Sequence, residues 1–372
     1  MAQPGSAATA SHSPVALVVS PHGGHAHGAD PRTLLDDAGV RVALELTVDQ
    51  LDQRAAAGRE WQAEGIAAAV AAGGDGTIGA VATQIAPSTL PLGILPLGTS
   101  NDVARALGIP LDLAHAAAVI ADGTPHSVEA GICTPAQTEP RALSTRLRTA
   151  VGRALRSPLA ARGAYFLHAL TLGFNVEFAR LATDIARRRR LGALNYAASL
   201  LEAVTRIQSL PVTLHLAGVA RVSAGAGQPD ANGNLTVSHH VLQVAVVNLP
   251  TFGGPLELRL PDMRDDDGLL DVVMLEAPRD VDLRARIERW LAAIRPLPEN
   301  GTSQPAAEPE GVSEDLFSLP GVLRYQARSL VIETSEPMDV TLDGELRART
   351  PVDVRVAPRP LQVILPAKEA SD

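Results

Sequence analysis

Short apolar runs separated by polar, alanine-rich stretches fill the first third of the chain. Residues 15–19 form a continuous apolar run of strand length, 40–47 alternate in part, and 66–72 are apolar throughout. Between the last two, 49–64 read as one polar, alanine-rich helix. Further helices are expected at 77–85, 103–107 and 113–120, and 128–132 are extended. Composition alone would make 66–72 helical, but the run leads directly into closely spaced glycines, which predicts a buried parallel strand. Strands alternating with helices predict a parallel sheet with right-handed crossovers.

The texture then changes. A strand at 165–173 is followed by helices at 176–190 and 194–207. From 211 onward short strands are expected at 212–216, 235–237, 241–247, 269–275, 330–334, 340–342 and 352–356, an antiparallel sandwich. The expected fold class is α/β plus β-rich. The expected division is a tail at 1–14, an α/β domain at 15–127 and a β-rich domain at 128–357. Residues 141–156 read as a basic helical insert, 224–233 as a flexible hairpin and 296–320 as a Pro- and Glu-rich insert.

Composition narrows the chemistry. At 372 residues and 46% hydrophobic content the chain can bury two ordinary cores. A net charge of −9 argues against a nucleic-acid partner. Lys368 is the only lysine, so a phosphate contact must come from arginine, backbone or metal. One cysteine, Cys133, excludes an internal disulfide and fits a reducing, cytoplasmic compartment. No apolar run reaches about 18 residues, so no membrane-spanning helix is expected, and the small, polar 1–14 segment reads as a tail and not a signal peptide.

Two loops carry most of the candidate chemistry. Gly73-Gly74-Asp75-Gly76-Thr77-Ile78-Gly79 follows the apolar run and opens a helix. Glycine lets backbone approach a ligand, and a helix start points free N–H groups at it. Asp75 would repel a bare phosphate, which suggests a bridging Mg²⁺ or a sugar hydroxyl, and it reads as an exposed loop acid. Thr99, Ser100, Asn101 and Asp102 are four cap-type residues in a row, more than one helix needs. A polar site is therefore expected at the carboxyl end of the short apolar strand that runs from Pro91 and breaks at Pro96 and Gly98. Ser20-Pro21-His22-Gly23-Gly24 after the first strand is a further candidate phosphate loop; the histidines at 22, 25 and 27 read as a solvated loop and not a metal site.

Four segments together resemble the diacylglycerol kinase catalytic-domain family, in particular its soluble bacterial lipid kinases. They are Gly73-Gly74-Asp75-Gly76-Thr77; Leu97 through Arg105; Asn248 to Gly254 with Pro261 through Val272; and Leu342-Asp343-Gly344-Glu345. The resemblance implies a Rossmann-like first domain, completed by residues 358–368, and ATP as phosphate donor with Mg²⁺. It implies that Ser20, Pro21, His22, Gly23, Gly24, Thr47, Gly73, Gly74, Asp75, Gly76, Thr77, Ile78, Gly79, Thr99, Asn101 and Asp102 surround the nucleotide. A structural Mg²⁺ would take the Asp267 carboxylate and the main-chain oxygens of Arg264 and Leu269. Asp343 and Glu345 would together serve as base and supporting acid, with either one as the base. Two residues apart, they share a face of an extended strand or diverge across Gly344.

The chain departs from the family pattern at Ser20, where Asn is usual, at Gly79, again usually Asn, and at Glu129, where Asp is common. The expected activity is ATP-dependent phosphorylation of diacylglycerol or a related lipid, with transient docking on anionic membranes through Arg187, Arg188, Arg189 and Arg190. NAD kinase, sphingoid-base kinase and a catalytically inactive nucleotide or lipid sensor are the alternatives.

Overall fold

A computed structural model describes residues 14–20, 30–54, 57–136, 163–173, 209–223, 225–252, 258–259, 262–264, 266–277, 321–357 and 361–367. The inserts at 141–156 and 296–320, the arginines at 187–190 and the loop residues Pro21, His22, Gly23 and Gly24 lie outside them. The chain forms two compact units, residues 1–127 with 361–372, and residues 128–360.

The first unit runs β1 (Val15–Val19), α1 (Pro31–Asp37), β2 (Val42–Thr47), α2 (Val48–Asp52), α3 (Ala57–Ala63), β3 (Ala68–Gly73), α4 (Asp75–Ile85), β4 (Leu92–Pro96), α5 (Asp102–Ala106), α6 (Leu113–Asp122) and β5 (Thr124–Val128). The second runs β6 (Gly131–Pro135), β7 (Ala164–Phe166), β8 (Ala169–Gly173), β9 (Leu210–Val222), β10 (Leu235–Val247), β11 (Thr251–Phe252), β12 (Leu258–Arg259), β13 (Leu270–Glu276), β14 (Val322–Thr334), β15 (Asp339–Leu342), β16 (Glu345–Arg349) and β17 (Val352–Val356). The last strand, β18 (Leu361–Leu365), pairs in parallel with β4 of the first unit.

The first sheet has the order β2-β1-β3-β4-β18-β5, and β1 to β4 are mutually parallel. β3 reads Ala-Ala-Val-Ala-Ala-Gly, and all six positions are buried. Ladders to β1 and β4 on either side override the helix preference of alanine. The chain reverses direction across the sheet at β1, with β2 on one side and β3 on the other. That is the switch point at which open α/β sheets hold ligands at their carboxyl edge.

The helix expected over 49–64 is two helices. α2 ends at Asp52 and α3 begins at Ala57. Gln84, buried in α4, makes the break tolerable: its Nε2 donates to the Leu51 and Arg54 carbonyls (3.4 and 2.9 Å), and its Oε1 accepts from Ala57 N (3.3 Å). Arg54 O and Ala57 N are thus satisfied by one amide, which also reaches Leu51 O beside the Arg54 N–H.

In the second unit, ten strands form one hydrogen-bonded sheet with the order β16-β15-β8-β10-β13-β14-β17-β6-β7, and β9 pairs with both β10 and β14. The pairs β9–β10, β10–β13, β13–β14 and β14–β9 therefore close on themselves, all antiparallel. Inside lie Leu214, Val244, Val272, Tyr325 and Ile332. The strands expected at 235–237 and 241–247 are one 13-residue strand, β10, whose first half pairs with β9 and whose second half pairs with β13 and β8. A buried ion pair ties β13 to β14: Arg324 Nε donates to Asp271 Oδ1 at 2.7 Å, and Gln326 Nε2 to Asp271 Oδ2 at 3.2 Å. Burial raises the Asp271 pKa, against the pull of Arg324 and Gln326. The β9–β10 turn is not merely loose: Asp230 accepts from Asn232 N and Asn234 N at 2.8 Å each, which lowers its pKa.

Candidate functional site

Four consecutive strands of the first sheet end in candidate residues. Ser20 follows β1, and its N–H donates to Ala72 O at 3.0 Å. Thr47 ends β2 and caps α2 in a capping box with Gln50. Gly73 ends β3, and Thr99 follows β4 and is exposed. Parallel strands put all four at one edge of the sheet, around the switch point.

The two glycine loops are welded together. Gly74 is the N-cap of α4 and offers no side chain to its first N–H groups. A Cβ on Gly98 would collide with the Cα of Gly74, and a Cβ on Gly73 with the Thr77 side chain. These glycines are thus demanded by the packing of the loops themselves. Gly74 and Gly76 remain partly exposed, whereas Thr77, Ile78 and Gly79 are buried in α4.

Asp75 is not an exposed loop acid. It lies in the first turn of α4, 9% exposed. Its Oδ2 accepts from Asp102 N at 3.1 Å and its Oδ1 from Val103 N at 2.9 Å. Its charge therefore meets the positive start of α5. Asn101 turns inward as well: in the left-handed region (φ 51, ψ 41), its Oδ1 accepts from Gly98 N (2.9 Å) and its Nδ2 donates to the Pro96 and Gly98 carbonyls (3.2 and 3.0 Å). Its amide shapes the loop. Asp102 is also nearly buried, at 9% exposed.

In the second unit Asp343 and Glu345 diverge. Asp343 sits in the β15–β16 turn with φ 47 and is 5% exposed. Its Oδ2 accepts from Leu167 N (3.0 Å), and its Oδ1 from His168 N (2.9 Å) and Ala169 N (3.0 Å). These bonds bend the segment expected as one strand into β7 and β8. Loss of hydration raises the Asp343 pKa to about 6, outweighing the nearby His168 and the three amides, which pull it down. Glu345 is exposed and pairs with Arg347 at 2.7 Å.

The far side of the bend is held by Asn248, which opens the third family-like segment of the sequence but is given no role there. Its N–H donates to His168 O (2.8 Å), and its Nδ2 to Leu167 O (2.8 Å) and Glu129 O (2.9 Å). The Glu129 carboxylate accepts from Gly268 N at 3.0 Å. Beside it, Asp267 Oδ1 accepts from Leu269 N at 3.0 Å across a turn with Gly268 at φ 70. No group of three His, Cys, Asp or Glu that could hold a metal is found among the described residues. One carboxylate with main-chain carbonyls is nevertheless an all-oxygen donor set, which suits Mg²⁺. The Arg264 side chain is turned to Asp266.

Known proteins share this organisation. Residues 14–133 match the family model of the diacylglycerol kinase catalytic domain, and residues 169–291 that of the YegS C-terminal NAD kinase beta sandwich-like domain. The chain is 31% identical over 333 residues to a "Probable lipid kinase YegS-like" of Pseudomonas aeruginosa, covering 89% of this chain and 87% of that one. It is 27% identical over 364 residues to a "Diacylglycerol kinase" of Mycobacterium tuberculosis, covering 95% of each. A solved putative diacylglycerol kinase from Bacillus anthracis has the same fold, with TM-score 0.60 and 21% identity over 96% of this chain and 97% of that one.

A parallel α/β unit followed by a sandwich-like β unit is thus the fold class of these kinases. The chain belongs to the diacylglycerol kinase catalytic-domain family, of the YegS-like lipid kinase type. Membership makes it a kinase-family phosphotransferase. No described helix is long and apolar enough to cross a membrane.

Proposed function

We propose that the protein transfers the γ-phosphate of ATP to a hydroxyl of diacylglycerol or a related lipid, as a cytoplasmic enzyme that docks transiently on anionic membranes. The observation that carries this is the convergence of Ser20, Thr47, the Gly73–Gly74 pair and Thr99 at the carboxyl ends of β1 to β4 in a lipid kinase-family chain. Phosphoryl transfer asks mainly for positioning and charge stabilisation. In this reading the bare start of α4 at Gly74 offers N–H groups to phosphate oxygens, and Thr99 offers its hydroxyl. Asp102, at the start of α5, serves nucleotide and cation. Asp267 with the main-chain oxygens of Arg264 and Leu269 holds Mg²⁺, which when bound supplies positive charge and rigidity. Asp343 and Glu345 act as base and supporting acid on the lipid hydroxyl. A carboxyl with a pKa near 6 is ionised at neutral pH and still basic enough to accept a proton.

The test is phosphate transfer from radiolabelled ATP to a panel of diacylglycerol, monoacylglycerol, sphingoid base and NAD. Labelled phosphatidic acid is the expected product. Label only in NADP would replace the reading by NAD kinase, and ATP binding without any labelled product would replace it by a nucleotide sensor.

A further inference from the structure

We propose that Asp75 is a positioning residue: it presents the 98–102 loop to the nucleotide and is not a ligand of the cation that accompanies the phosphates. The inference rests on the proposed nucleotide role of that loop and adds how the loop is held. A helix start needs acceptors for its free N–H groups, and the N-cap side chain normally supplies one. Asn101, the N-cap of α5, makes no such bond. It is in the left-handed region, and its amide is spent on the Gly98 N–H and the Pro96 and Gly98 carbonyls. The missing cap comes from 27 residues earlier in the chain, where one oxygen of Asp75 takes the Asp102 N–H and the other the Val103 N–H.

Two further contacts fix the same pair of loops. Leu97 N donates to Gly73 O at 3.0 Å, and the Gly74 and Gly98 backbones meet so closely that neither glycine has room for a Cβ without displacing the other. The exposed Thr99 is carried on a loop anchored at its start by Asn101 and at its end by Asp75. Two amide donors at a helix start stabilise the carboxylate that accepts from them. Removing its charge should release the start of α5 and with it Thr99.

The experiment is a double-mutant cycle with a non-hydrolysable ATP analogue, read by calorimetry at several Mg²⁺ concentrations. Thr99→Ala in the parent should weaken binding about tenfold, the loss of one hydrogen bond to a charged group. In the Asp75→Asn background the same change should cost less than about twofold, because the loop no longer presents Thr99. The Mg²⁺ concentration for half-maximal binding should not move. Hydrogen exchange of the nucleotide-free protein should show faster exchange at Asp102 and Val103. If Asp75→Asn fails to fold, Asn101→Ser loosens the same loop at its other anchor and should abolish the Thr99 effect alike.

Full additivity of Asp75→Asn and Thr99→Ala, together with a raised Mg²⁺ requirement, would make Asp75 a cation ligand and overturn the inference. A silent Thr99→Ala in the parent would overturn the nucleotide role of the loop instead. Unchanged protection of Asp102 and Val103 in Asp75→Asn would overturn the cap itself.

Discussion

Asp343 and Asn248 grip opposite polar edges of one short bend. The Asp343 carboxylate takes the N–H groups of Leu167, His168 and Ala169, and Asn248 donates to the carbonyls of Leu167 and His168. Five backbone groups of three consecutive residues are satisfied by two side chains and one main-chain N–H. Asn248→Ala should remove the Nδ2 donor shared by Leu167 O and Glu129 O, costing about 1–3 kcal/mol. Urea unfolding should show that loss with an unchanged m-value; a parent-like midpoint would show that water replaces the amide without cost.

The buried Asp343 should also give stability a pH dependence. Its pKa rises from 3.8 to about 6 in the folded chain. Below 3.8 the carboxyl is neutral folded or unfolded. Between the two values the unfolded chain ionises first, and above 6 the folded chain must hold a buried charge. Its stabilising contribution is therefore complete at low pH and lost as pH rises through about 6, by about 3 kcal/mol in all. In Asp343→Asn that slope should disappear from melting curves taken between pH 4 and 7. A slope as steep as the parent's would assign the effect to other groups.

Much of this architecture is legible in the sequence because its causes are local. The 66–72 run and its glycines announce β3 and the start of α4, and the change of texture near 211 announces the β-rich unit. The roles of single site residues are less legible. Asp75 is chosen by amides 27 and 28 positions away, and Asp343 by amides more than 170 positions away. Such pairings leave no periodicity or spacing in the chain. The same holds for Gly98, whose nearest obstruction to a Cβ is Gly74 across the fold.

That last contact predicts an order of severity. A Cβ on Gly98 would collide with Gly74 Cα and lie 2.8 Å from Asn101 Oδ1, while a Cβ on Gly74 would lie 3.2 Å from Gly98 Cα. Gly98→Ala should therefore destabilise by about 1–3 kcal/mol, with Gly74→Ala milder. Thermal unfolding of the two variants side by side checks the order; equal losses would mean that the loops separate freely.

The Asp271–Arg324 pair should show the cost of an orphaned charge. Arg324→Met leaves Asp271, 1% exposed, with only Gln326 of its side-chain partners. Breaking such a pair typically costs about 3–5 kcal/mol. Asp271→Asn with Arg324→Met removes both charges and should recover part of that loss in denaturant titrations. No recovery would mean that Arg324 acts by packing alone.

The Asp-Gly-Glu turn offers the sharpest test of the proposed chemistry, because its two acids have such different surroundings. Asp343 is buried and accepts three amide hydrogen bonds, whereas Glu345 is exposed and bound to Arg347. If the pair deprotonates the lipid hydroxyl, its loss should strike the chemical step and spare ATP binding. General-base removal lowers rates by about 10²–10⁴-fold. Asp343→Asn and Glu345→Gln keep side-chain volume and remove charge. At least one should bind ATP with parent affinity and transfer phosphate to diacylglycerol more slowly by that factor in single-turnover measurements. The variants should also separate. Asn at 343 turns an N–H donor toward one of the bend's three amides and also removes the buried charge, so its slowing should come with a shifted melting temperature. Glu345→Gln disturbs only an exposed pair and should melt like the parent. Parent-like single-turnover rates in both variants would exclude the two acids from catalysis.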